Sequence, residues 1–138
     1  IEYSGLDLAG NRYILKASEA TTDESNQDII KMRSTTAIFY FKDGTVLNIS
    51  SETGVYNNKT LDMLFSGEVK ASYIESNLFA DKAEYSNSEG FLTITKNVII
   101  EDSRGTMIAD ELLFDIKKQT LKIAAFKDNK INANIKLK

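Results

Sequence analysis

The chain has 138 residues, 42% of them hydrophobic and 27% charged, which suits one soluble globular domain over 1–138 with a modest core and argues against a second. A net charge of −3 denies it the positive field of a nonspecific nucleic-acid binder, and the absence of cysteine and histidine removes thiolate nucleophiles, the usual zinc ligands and the commonest general base near neutral pH. The longest clearly apolar run, AIFYF at 37–41, is far short of the roughly 20 residues a membrane-spanning helix needs.

The chain begins at Ile1 without an initiator methionine, which leaves a preceding signal or anchor open. A loop is expected near 20–28. In YFKDGTVLNI at 40–49, Asp43-Gly44 between apolar runs is a strong hairpin cue. Just before it, Phe39 and Phe41 are assigned inward, although Ile38 and Tyr40 on the opposite face are nearly as apolar.

From residue 49 the chain repeats itself. ISSETGVYNNKTLDMLF at 49–65, LFADKAEYSNSEGFLTI at 78–94 and MIADELLFDIKKQTLKI at 107–123 align without gaps at a spacing of 29 residues. Five columns stay alike: Ile49, Leu78 and Met107; Glu52, Asp81 and Asp110; Tyr56, Tyr85 and Phe114; Met63, Leu92 and Leu121; Phe65, Ile94 and Ile123. A fixed period of this length marks stacked supersecondary units. Apolar residues at spacing two across polar turns such as NNKT and SNSEG make each unit a β-hairpin. Segment 107–116, whose ADELLFDIKK runs from 109 on to 118, has helical propensity, but its serine-, asparagine- and threonine-rich sister segments favour strand.

The tail INANIKLK at 131–138 alternates Ile131, Ala133, Ile135 and Leu137 with polar residues. No proline interrupts any strand. About ten strands are expected, with an all-β fold built as an elongated roll of stacked antiparallel hairpins. Its terminal strands would have unpaired edges, which invite another chain's strand or a second copy.

The apolar columns have two readings, a dry core or the lining of a roll accessible to a long apolar ligand. On the second reading the lining is Phe39 and Phe41, then Ile49, Tyr56, Met63 and Phe65, then Leu78, Tyr85, Leu92, Ile94 and Phe114, while Thr93 faces out. On the first, the chain is a structural β-solenoid with no lipid ligand. The acidic column admits a cation ladder, or simply carboxylates placed where strands kink. No calcium-loop spacing supports the former, and no metal or cofactor is expected. A glycoside-hydrolysing pair drawn from Glu52, Asp81 and Asp110 is a further alternative, but stacked units set such residues side by side on the outer surface with no cleft. No enzyme is expected.

The last 22 residues hold Lys117, Lys118, Lys122, Lys127, Lys130, Lys136 and Lys138 against a single acid, Asp128. They suit an edge guarded against aggregation and, equally, attraction to phosphorylated headgroups. NIS at 48–50 and NKT at 58–60 match the glycosylation acceptor pattern and are assigned no role; no GxxxxGK occurs.

GLDLAGNRYILKASEA at 5–20, DGTVLNISSETGVYNNKTLDMLFSGEV at 43–69 and LFADKAEYSNSEGFLTITKNVII at 78–100 resemble the LptC family of lipopolysaccharide-export proteins. The A-D-x-A-x-Y pattern and the strand end at Gly67 and Val69 also occur in the related LptA proteins, so a soluble LptA-like bridge component is the alternative. The resemblance implies a β-jelly-roll in the periplasm, tethered to the inner membrane by an N-terminal helix absent from this sequence. It implies lipopolysaccharide as cargo, shielded in an apolar groove between an inner-membrane ABC extractor and an LptA-like bridge. It also implies LptF/LptG-type membrane subunits at the N-terminal edge, carried here by Tyr13, Leu15 and Ala17. An LptA-like partner is implied at the C-terminal edge, carried by Ile131, Ala133, Ile135 and Leu137.

Overall fold

A computed structural model describes residues 1–126 and 133–135. Among these residues the chain forms eleven strands: β1 (Glu2–Leu6), β2 (Arg12–Lys16), β3 (Glu19–Thr22), β4 (Ile29–Tyr40), β5 (Val46–Asn57), β6 (Met63–Tyr73), β7 (Ser76–Ser86), β8 (Phe91–Asp102), β9 (Gly105–Asp115), β10 (Thr120–Phe126) and β11 (Ala133–Ile135). They make one antiparallel sheet in the order β1-β2-β4-β5-β6-β7-β8-β9-β10-β11, with β3 also paired to β4. The all-β expectation holds, and 107–115 lie in strand β9 rather than in a helix, with Ile116 opening the turn that follows.

The repeat is a repeat of pairing. Tyr56 faces Met63, Tyr85 faces Leu92 and Phe114 faces Leu121 at the same point of three successive hairpins. Gly54 with Phe65, Ala83 with Ile94 and Leu112 with Ile123 repeat the next inward pair. Because side chains alternate across a strand, this register turns every apolar column to one face.

The same period sets where the strands bend. Register shifts interrupt β5 and β6 between Ser50 and Thr53, β7 and β8 between Phe79 and Lys82, and β9 and β10 after Ile123. Gly67 and Glu68 in β6 have positive φ, and so do Lys96 and Asn97, one repeat later in β8. Bulges bend a strand and raise its twist. With every long strand bent at mid-length, the sheet folds over along a line through the bends into two facing leaves. The first leaf holds Thr36–Tyr40 and Val69–Tyr73; the second holds Thr53–Asn57, Lys82–Ser86 and Glu111–Asp115.

The acidic column stands along this fold line. The Glu52 carboxylate packs against Gly67, and Asp81 Oδ2 accepts a 2.6 Å hydrogen bond from Asn97 Nδ2. Asp110 is skipped by the register on both sides. The described residues contain no group of three potential metal ligands.

Two expectations at the N-terminus are corrected. The loop near 20–28 begins later, because β3 carries the line of β2 around the bend and pairs Glu19–Thr22 with β4. The strand bearing Tyr13, Leu15 and Ala17 is not the N-terminal edge. Asp7 Oδ1 accepts the Ala9 and Asn11 N–H groups at 2.9 and 2.8 Å, reversing the chain so that β1 pairs outside β2 along its whole length. Tyr13 and Leu15 are consequently fully buried, Ala17 sits at the corner between β2 and β3, and β1 is the edge.

Candidate functional site

The inner faces of the two leaves make one contiguous apolar interior from Tyr13 to Ile123. All eleven lining residues nominated from the sequence lie in it, and none exceeds 5% exposure. Phe39 and Phe41 point inward, and Ile38 and Tyr40 stand half-exposed on the outer face with Thr93. Leu47, Tyr73, Val98, Ile100 and Leu112 belong to the same interior though they were not nominated. Alternation alone would have found Leu47 beside Ile49 and Val98 beside Ile100.

Aromatic contacts run from leaf to leaf. Phe39 meets Tyr85 with ring centroids 5.1 Å apart, and Tyr73 meets Phe114 edge-on at 5.0 Å. Tyr13 and Tyr56 join hydroxyl to hydroxyl at 2.7 Å, and Tyr85 donates to Asn87 Oδ1 at 2.6 Å. These bonds let amphipathic rings be buried without orphaned hydroxyls. Burial, chiefly, pushes the phenols of Tyr13, Tyr56 and Tyr85 up from their ordinary value of 10.0. The interior is thus apolar, neutral and filled by its own side chains.

The outermost strands of the pairing order are β1 and β11. Ala133 and Ile135 lie in β11, which pairs Leu121 with Ile135 and Ile123 with Ala133. Ile131 and Leu137 fall outside the described residues, as do Lys127, Lys130, Lys136 and Lys138.

Residues 1–125 match the family model described as lipopolysaccharide-assembly, LptC-related. The chain belongs to the LptC-related family. This agrees with the resemblance carried by the repeat and by the A-D-x-A-x-Y pattern. No curated protein matches the chain by sequence. Among solved structures, that of LptH from Pseudomonas aeruginosa, described as the LptA homologous periplasmic component of the lipopolysaccharide transport device, superposes with a TM-score of 0.62. The match covers 91% of this chain and 95% of that one at 8% identity, so it carries the fold and nothing finer. The fold of this LptC-related chain is therefore LptA-like, and no helix among its described residues is long and apolar enough to cross a membrane.

Proposed function

We propose that this LptC-related chain carries lipopolysaccharide through the periplasm by holding its acyl chains between the two leaves. The supporting observation is the register of the repeat, which lines the interior with equivalent apolar side chains from β5 to β10. Each methylene withdrawn from water contributes about 0.8 kcal/mol, so a chain of about a dozen methylenes gains about 10 kcal/mol by staying shielded. Equivalent columns offer similar affinity at successive positions, which lets a lipid slide rather than stay, and an upstream ATPase supplies direction. The described residues need perform no covalent chemistry.

The edges carry the handover. β1 receives from LptF/LptG-type membrane subunits, and β11 adds to the sheet of an LptA-like partner, in each case by strand pairing through free backbone groups. The N-terminal tether to the inner membrane belongs to this reading as well.

One observation favours a second reading, a β-solenoid with a permanently dry core: the lining residues are almost inaccessible. A photo-crosslinking amino acid separates the two. Placed at Phe65 or Tyr85 it captures lipopolysaccharide if the leaves part around acyl chains, and captures none if the core stays dry.

A further inference from the structure

A ligand that reaches this interior must pass between the leaves. Along the fold line β4 to β9 run unbroken from one leaf into the other, so parting there would tear the sheet. On the opposite side the leaves end in two rows of turns, and among the described residues no backbone hydrogen bond joins one row to the other. Among the described residues, the side-chain hydrogen bonds that cross between leaves are Tyr13 with Tyr56, near the β1 end, and a set centred on Gln119.

Gln119 lies in the β9–β10 turn of the second leaf. Its Nε2 is 2.6 Å from the Tyr73 hydroxyl and 3.1 Å from both Thr45 Oγ1 and Asp43 Oδ2, all on the first leaf. The acceptors are prearranged: Asp43 Oδ1 takes the Thr45 N–H and hydroxyl at 2.9 and 2.6 Å, which leaves Oδ2 for the amide. Gln119 itself has φ of 52°, a conformation that favours glycine, so the turn holds its side chain across the gap at some backbone cost. Tyr73, buried beneath, packs edge-on against Phe41 and Phe114, so the polar set caps the aromatic interior.

Beside this contact is a crevice of about 260 Å³. Leu8 and Ala9 form one lip, Gly90, Ile116 and Lys117 the other, and Tyr85 the floor. The Tyr85 ring touches Phe39 on its other side, so this one ring separates the crevice from the apolar interior. Leu8 is held 69% exposed by the rigid Asp7 turn, and a Cβ at Gly90 would meet nothing within 4 Å. The crevice is therefore a cleft between the leaves whose rim mixes apolar Leu8, Ala9 and Ile116 with charged Asp7, Glu89 and Lys117, next to the bonds that keep the rims together.

We infer that this mouth is where an alkyl chain enters, and that Gln119 is the latch holding it closed. The inference rests on the lipid-carrying function proposed above and adds the route and the moving part. With the latch made, the interior excludes water and ligand; with it broken, the turns Ile116–Gln119 and Lys42–Thr45 separate and the leaves part about the fold line.

The absence of cysteine makes the test direct. The double variant Asp43→Cys/Gln119→Cys is joined by a short bis-maleimide, with Asp28→Cys/Asn58→Cys, both in the second-leaf rim, as the control tether. Each full chain, and the unsubstituted one, carries a photo-crosslinker at Phe65 and is mixed with lipopolysaccharide micelles. The rim-to-rim tether is expected to cut lipid capture about tenfold or more while the control tether leaves it unchanged, and Gln119→Ala is expected to speed capture. Equal capture with and without the rim-to-rim tether, by a chain that does capture lipid, overturns the latch and leaves the proposed function standing. No capture by the unsubstituted chain overturns both.

Discussion

Tyr85 and Phe39 pack with ring centroids 5.1 Å apart, although they come from strands β7 and β4, which share no hydrogen bonds. Neither strand neighbourhood nor sequence separation brings them together; the bend in every long strand does. This contact is the simplest measure of whether the leaves are closed, and it ties the repeat to the interior.

Truncating Tyr85 to alanine should cost about 3–5 kcal/mol, as for other large buried aromatic side chains. Tyr85→Phe keeps the packing and loses the hydroxyl bond to Asn87, so its cost should be about 1 kcal/mol. Urea denaturation of both variants gives the comparison. Equal costs would mean that packing against Phe39 contributes little.

Raised tyrosine pKa values make a pH prediction. Burial disfavours the charged phenolate, so Tyr13, Tyr56 and Tyr85 keep their protons in the fold above the ordinary value of 10.0. In the unfolded chain they ionise near that value. Stability from these groups is therefore fully present below about pH 10 and declines as pH rises beyond it. Tyrosinate absorbance followed alongside circular dichroism should show the last phenols ionising only as β-structure is lost. All six tyrosines ionising near pH 10 with the fold intact would contradict this.

Gly67 and Gly44 separate two costs at the bends and turns. Both have strongly positive φ, but a Cβ at Gly67 would also overlap the Glu52 carboxylate, whereas one at Gly44 meets nothing within 4 Å. Gly44→Ala should cost about 1 kcal/mol from the backbone alone, and Gly67→Ala about 2–3 kcal/mol. Adding Glu52→Ala should recover the difference. Thermal or urea unfolding that ranks the two glycines equally would remove the steric role of the acidic column.

At the C-terminal edge, Ile135→Pro removes one backbone donor from β11 and bars regular pairing there. Binding of an LptA-like partner, measured by titration, should weaken about tenfold or more while the unfolding temperature stays within a few degrees. Unchanged affinity would mean that this edge is not the contact.

Much of this architecture is legible in the chain. Tyr56, Tyr85 and Phe114 recur every 29 residues, and that spacing alone implies stacked hairpins with aligned apolar columns. β1 was missed because its five residues, EYSGL, hold only Tyr3 and Leu6 as large apolar side chains, and the turn that reverses it depends on Asp7. β3 was missed because EATT is polar and mostly exposed; only its pairing with β4 makes it a strand. Filling of the interior was not readable, since a dry core and a ligand-lined one ask for the same alternation. Gln119 gave no signal at all, because its partners lie 46 to 76 residues away and nothing local marks a glutamine in a turn as a bridge between leaves.

The sharpest check is photo-crosslinking from paired positions in one strand of β8, Ile94 on the inner face and Thr93 on the outer. With lipopolysaccharide present, capture at Ile94 and none at Thr93 is expected if acyl chains travel between the leaves. Equal capture at both positions, or none at Ile94, would mean that this interior does not carry lipid.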